Sequence, residues 1–177
     1  MEDAFRRKLH HDNKPRAIAQ LIRNIKNILN KSFPVDQNYK SKDVYIYPLV
    51  ILHDHQYDVI GLNNIVNDWF LQEVAGLKSE GFPTERIQPL VIINIDTLIF
   101  HQDILRDNLV RLEDIIDAYN KRAYAKPKKR YQNQEDYYDD MKNKLIPFGN
   151  FFTSIVAEKR LNRIPSMLKA KGYTLFQ

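Results

Sequence analysis

The chain of 177 residues contains no cysteine. Disulfide bonds, thiolate nucleophiles and cysteine-ligated zinc are therefore excluded together, and a metal would have to be held by histidine, aspartate or glutamate. Glycine is scarce, with 5 residues, and the sequence has no glycine-rich phosphate loop, no Gly-x-Ser-x-Gly elbow and no His-Glu-x-x-His helix. These absences argue against several large classes of enzyme.

Long apolar segments are also missing. No apolar run reaches the roughly 20 residues that a membrane-spanning helix needs, and the charged N-terminal residues are not followed by an apolar segment. We therefore expect a cytoplasmic protein with no membrane partner. The net charge of +5 favours anionic partners, but 22 acidic residues make this charge a weak indicator of nucleic-acid binding.

Two apolar segments organise the rest of the chain. The first runs from Val44 to Asp54 and the second from Pro89 to Asp96, and residues 62–77 between them have helical spacing. Continuous β-branched runs predict strands that are buried on both faces, and the intervening helix makes the pair a parallel βαβ unit. Pro48 cannot donate a ladder hydrogen bond, so strand pairing should begin near Leu49.

Helical patterns surround this unit. An amphipathic helix is predicted from Pro15 to near Ser32, a second helical region begins at Leu98 with Thr97 as its cap and reaches residue 120, and an apolar helix over residues 145–156 should break near residues 147–149. We predict an α/β fold with a small, mainly parallel sheet, a βαβ unit flanked by helices and a mostly helical C-terminal part. Residues 1–177 should form a single domain.

Residues 121–140 differ in character from the rest of the chain. Six basic residues without an acidic one lie between Lys121 and Arg130, and four acidic residues follow between Glu135 and Asp140. Such blocks of like charge predict an extended charged loop or arm.

Polar side chains end both predicted strands. His53, Asp54 and His55 end the first, with Asp58 just beyond, and Asp96 ends the second. Ligands collect at the carboxyl ends of parallel strands, so His53, Asp54 and Asp96 are candidate catalytic residues and His53 and His55 candidate metal ligands. A metal-dependent hydrolase or phosphotransferase with a divalent cation as its cofactor is one hypothesis. The alternative is that these side chains only cap the following loops.

Basic residues on the first helix and in the charged segment are candidate contacts for DNA or RNA, because lysine and arginine neutralise phosphates and tyrosine stacks on unpaired bases. These nucleic-acid-binding candidates are Arg16, Arg23, Lys26, Lys126, Lys128, Lys129, Arg130 and Tyr131. The alternatives are a solvated run that pairs with the nearby carboxylates, or a tyrosine-rich segment that docks a protein partner or a second copy of the chain.

The order of these segments resembles a known family. A helix bearing Ala19-Gln20-Leu21, a strand Tyr-Pro-Leu-Val-Ile, a helix and a strand Pro-Leu-Val-Ile-Ile-Asn-Ile-Asp, together spanning residues 15–96, resemble the second half of the PD-(D/E)XK restriction-endonuclease-like nucleases. The resemblance implies that Gln20 is the polar helix residue that supports the active site in that family.

The family's catalytic aspartate and Glu-x-Lys lie upstream of that helix, where this chain has only Met1 to Lys14. The resemblance therefore implies a remnant, a fragment or a partner subunit of such a nuclease. We expect a nucleic-acid-associated or regulatory module without independent catalysis, since metal-activated hydrolysis needs those ligands.

Overall fold

The computed structural model describes residues 17–32, 38–40, 43–53, 58–126 and 130–157. The elements in chain order are α1 (Ala17–Leu29), β1 (Leu49–Leu52), α2 (Leu62–Ser79), β2 (Val91–Asn94), α3 (Ile95–Phe100), α4 (Gln102–Arg106), α5 (Leu112–Ala123), α6 (Gln134–Lys144) and a helical stretch over residues 148–157. The fold is α/β, as predicted. None of the helices in these ranges is both long and apolar enough to cross a bilayer.

The described residues divide into two compact units. The first contains those up to Ile51 together with Gly61–Ile92, and the second contains Leu52–Ile60 together with those from Ile93 onward. The prediction of a single domain stays a prediction.

The strands β1 and β2 pair in parallel, which confirms the βαβ unit. The Gln88 N–H donates to the Ile46 carbonyl at 2.9 Å, and the Val91 N–H donates to the Pro48 carbonyl at 3.1 Å. β1 begins at Leu49, directly after the proline, as the missing proline N–H predicts.

The two strands differ in burial. All four residues of β2 are buried, whereas Ile51 of β1 is 53% exposed. The prediction of a strand buried on both faces is therefore confirmed for β2 and wrong for β1. A short apolar run indicates a strand, but it does not show how many faces other elements cover.

The helix α1 confirms the amphipathic pattern. Ile18 and Ile25 are buried on the side that packs against α2, whereas Arg23 is exposed. The helix ends at Leu29, before the predicted end, and Lys31 takes the left-handed conformation with φ 55° that commonly terminates helices. The predicted start at residue 15 lies outside the described ranges.

The side chains of α2 satisfy the edge of β2 that faces away from β1. The Asn63 Oδ1 accepts from the Ile92 N–H at 2.6 Å, and its Nδ2 donates to the Leu90 carbonyl at 3.3 Å. Four residues along the helix, the Asn67 Oδ1 accepts from the Leu90 N–H at 2.8 Å. Both asparagines are buried. Two amides on one helix thus make the hydrogen bonds that a third strand would make.

The end of β2 differs from the prediction. Helix α3 begins at Ile95 rather than Leu98, and its cap is Asn94, whose side chain accepts from the Asp96 N–H at 3.0 Å. Asp96 therefore lies in the first turn of a helix and not at the end of a strand. The apolar run continues across the boundary between β2 and α3, so hydrophobicity does not indicate where the strand ends. The asparagine at position 94 is the sequence signal for the start of the helix.

The C-terminal helices pack around aromatic rings. Tyr119 of α5 donates its hydroxyl to the Ile146 carbonyl at 3.0 Å, and its ring lies edge-on to Phe148 at 5.3 Å. Burial raises the pKa of the Tyr119 phenol above its ordinary value.

The helical stretch 148–157 follows Pro147, near the predicted break. The region predicted to be helical from Leu98 is divided among α3, α4 and α5.

The structure also differs from the charged arm expected over residues 121–140. Residues 121–123 complete α5, and α6 takes up residues 134–144. Asn133 caps α6 by accepting from the Asp136 N–H at 2.8 Å. Acidic residues in the first turn and lysines in the last turn of α6 complement the helix dipole, so this charge order stabilises a helix.

The hydrogen bonds from the Asn63 and Asn67 side chains to β2 lead to a stability prediction. Asn63→Leu removes the side-chain partner of two buried backbone groups, so we expect the free energy of unfolding to fall by about 2–4 kcal/mol. Asn67→Leu removes one such bond and should cost about 1–3 kcal/mol. The measurement is the urea midpoint with an unchanged m-value. Gln72→Leu, at an exposed position of α2, is the control, and equal losses in all three variants would contradict the assignment.

Two glycines give a matched pair. A Cβ at Gly149 would lie 2.7 Å from the Thr97 Oγ1, whereas a Cβ at Gly76 in α2 would meet nothing within 4 Å. We expect Gly149→Ala to lower the thermal midpoint, at a cost of about 1–3 kcal/mol from overpacking. Gly76→Ala should raise stability by about 0.5–1 kcal/mol because alanine favours the helix. Shifts of the same sign in calorimetry would refute the close packing at Gly149.

Candidate nucleic-acid interface

The exposed side of α1 is the more clearly formed of the two predicted basic surfaces. Residues 17–32 contain no aspartate or glutamate. At the spacing i, i+3, i+7 and i+10, four polar residues follow one another: Gln20, Arg23 and Asn27 on α1, and Asn30 directly after its last residue, where the Asn30 N–H still donates to the Lys26 carbonyl at 3.0 Å. Three of these are exposed and Asn27 is half-buried. We call this row the amide–arginine face.

The two predicted cations of α1 have different surroundings. Arg23 is exposed and forms no ion pair with any residue in the ranges that the structure describes. Lys26 pairs with Glu80, and its ammonium lies 5.3 Å from the centre of the Phe82 ring. Part of the Lys26 charge is thus neutralised, and Arg23 is the better placed of these two cations to meet a phosphate. Arg16 lies outside the described residues.

The second basic surface is only partly described. Lys126 and Arg130 are exposed, and Lys128 and Lys129 lie outside the described residues. Tyr131 is half-buried, and its hydroxyl donates to the Asp140 carboxylate at 2.8 Å. Its ring packs edge-on against Tyr137, with the centroids 5.2 Å apart. The hydroxyl and one ring edge of Tyr131 are therefore occupied by protein contacts, and stacking on a base stays a prediction.

A buried ion pair stabilises the end of α6. The Lys144 ammonium donates to the Asp140 carboxylate at 2.6 Å, and the two side chains are 9% and 14% exposed. Tyr131 donates to the same carboxylate oxygen. The sequence places Asp140 and Lys144 one helical turn apart, so the pair was predictable once α6 was recognised as a helix.

The histidine and carboxylate candidates are only partly described. His53 is exposed, and Asp54 and His55 lie outside the described residues. The Asp58 carboxylate accepts from the Asn94 amide at 3.2 Å, which ties it to the residue that caps α3. No three histidine, aspartate or glutamate side chains are grouped as metal ligands within the described part of the chain. Catalytic roles for His53, Asp54 and Asp96 stay predictions, as do metal-ligand roles for the two histidines.

A pocket of about 60 Å³ lies in the first unit. Its lining is mostly apolar and comprises Leu29, Val44, Ile46, Pro83, Glu85, Arg86 and Ile87. The Arg86 guanidinium donates to the Asp43 carbonyl at 2.8 Å and lies 5.0 Å from the centre of the Tyr45 ring. Arg86 is thus engaged in holding the segment before β1, and no sequence pattern predicts this pocket.

The sequence analysis predicted Arg23 as a nucleic-acid contact and Gln20 as the polar helix residue of the nuclease family, but it predicted neither asparagine of the amide–arginine face. The signal was present, since both follow Arg23 at helical spacing and no acidic residue interrupts them. Comparisons with protein families, with curated proteins and with solved structures return no match to this chain.

The Asp140–Lys144 pair generates a prediction. Lys144→Met removes the Lys144 ammonium from a mostly buried carboxylate, so we expect a loss of about 2–4 kcal/mol in the free energy of unfolding. Asp140→Asn in the same chain should restore at least half of that loss, because the neutral amide needs no counter-charge. Urea denaturation of the two single variants and the double variant measures the coupling. Additive losses would show that the pair is not coupled.

Proposed function

We propose that this protein is a nucleic-acid-associated module that contacts the phosphate backbone through α1, without a catalytic site of its own. The observation that carries this proposal is the exposed side of α1, which presents Arg23 among amides in a segment, residues 17–32, that has no carboxylate. Most surface helices mix charges of both signs, whereas this helix offers only cations and neutral hydrogen-bonding groups.

The electrostatics favour a polyanion as the partner. Duplex DNA carries one negative charge per about 1.7 Å of its axis, so a small number of cations on one side of a helix meets several phosphates. Among the residues that the structure describes, Glu80 pairs with α1 through Lys26, which neutralises its charge. The exposed Lys126 and Arg130 in the second unit are further candidate phosphate contacts.

The proposal includes a relationship to the PD-(D/E)XK nucleases. The elements follow one another in the order α1, β1, α2 and β2, and the two strands pair in parallel. This arrangement supports the relationship, because the resemblance is based on the same order. In that relationship Gln20 lies on α1 and is exposed. The catalytic carboxylates of a nuclease would come from another chain or another segment, and this module would supply binding or regulation.

The test is fluorescence anisotropy of the full chain with labelled duplex DNA, single-stranded DNA and RNA over a salt series. We expect binding whose logarithm falls linearly with the logarithm of the salt concentration. Arg23→Ala should weaken binding about tenfold and reduce the salt slope by about one unit, as expected for one lost phosphate contact.

The matched control is Arg106→Ala. Arg106 carries the same charge and is 77% exposed, but it pairs with the adjacent Asp107. Its removal should change neither the affinity nor the slope. Binding that is absent, or that does not depend on salt, would refute the proposed function, and an equal effect of the two arginines would refute the role of α1.

A further inference from the structure

We infer that the amide–arginine face of α1 reads base edges in the major groove of duplex DNA. This inference rests on the proposed function and makes it more specific, because it names the form of the nucleic acid and the residues that distinguish sequences. The face consists of Gln20, Arg23, Asn27 and Asn30. It takes its position from α1, whose apolar side packs against α2.

The spacing of the face matches the spacing of base pairs. From Gln20 to Asn30 is ten residues, which at 1.5 Å per residue is about 15 Å along the helix. That length corresponds to about four base-pair steps of 3.4 Å. The four side chains lie within one angular sector of α1, so all can point into one groove. Ile18 and Ile25 hold the opposite side of the helix in the core.

The chemistry of the face is that of base recognition rather than of phosphate neutralisation alone. An arginine forks onto the O6 and N7 of guanine, and asparagine or glutamine pairs with the N6 and N7 of adenine. Phosphate binding would need only cations, yet three of the four side chains are neutral amides. Asparagine is also a poorer helix former than alanine, so Asn27 stabilises α1 less than a common surface residue would.

The dimensions favour DNA over RNA. The major groove of B-form DNA is about 12 Å wide, which admits a helix of about 10–12 Å diameter. The major groove of duplex RNA is deep and narrow, so side chains on a helix cannot reach its base edges. An acidic protein surface would pair with Arg23, but its carboxylates only accept hydrogen bonds and would leave the amide oxygens of the face without donors.

The experiment is an in vitro selection by the full chain from a duplex DNA library with randomised positions. We expect enrichment of a motif of about four base pairs that contains guanine and adenine. The measured quantity is the ratio of the affinity for the enriched duplex to that for a scrambled duplex. Gln20→Ala, Asn27→Ala and Arg23→Lys should each lower this ratio by about 5- to 150-fold, the value of one bidentate base contact.

Arg23→Lys is the most informative variant, because lysine keeps the positive charge but lacks the planar fork that pairs with guanine. Gln72→Ala, an exposed amide on α2, is the control and should leave the ratio unchanged. Far-UV circular dichroism verifies that each variant is folded.

Three outcomes would overturn the inference. Salt-dependent binding without an enriched motif would refute base reading and leave the proposed function standing. Tighter binding to duplex RNA of the same sequence would refute the DNA assignment. Binding to none of the nucleic acids would refute the proposed function and, with it, the inference.

Discussion

The hydrogen bonds from Asn63 and Asn67 to β2 are the interaction on which the first unit depends. A strand with two described neighbours, β1 on one edge and α2 on the other, can be buried only if the backbone groups on both edges are satisfied. The Asn63 amide spans Leu90 and Ile92 as a residue of a parallel strand would. These bonds fix the rotation and the axial position of α2 on β2, and α1 packs against α2.

Parts of this fold could be predicted because they follow from apolar periodicity. The start of β1 at Leu49 and the amphipathic character of α1 both follow from residues that are close together in the sequence. The hydrogen bonds from Asn63 and Asn67 to β2 could not be predicted in this way. Asparagine is polar, so hydrophobic periodicity does not distinguish a buried asparagine in a helix from an exposed one. The partner of Asn63 is 29 residues away along the chain at Ile92, and only the folded βαβ unit brings the two together.

The candidate site was predictable to the same degree. Arg23 could be found because exposure follows from the amphipathic pattern. The pairing of Lys26 with Glu80 could not, because 54 residues separate them and the approach of the end of α2 to α1 is a tertiary result. Asp96 illustrates the opposite error. Its place after an apolar run suggested a strand end, whereas the Asn94 cap had already started α3.

Three of the four residues of the amide–arginine face lie on the same 13-residue helix as the core residues Ile18 and Ile25, and Asn30 directly follows that helix. Ile18 and Ile25 set which side of the helix is buried, so they also set which side faces solvent. A rotation of α1 by one residue, about 100°, would expose an isoleucine and remove Arg23 from the surface. The packing of α1 therefore orients the face without contributing to its chemistry. Substitutions along that face can alter recognition while the hydrophobic contacts that hold the helix stay the same.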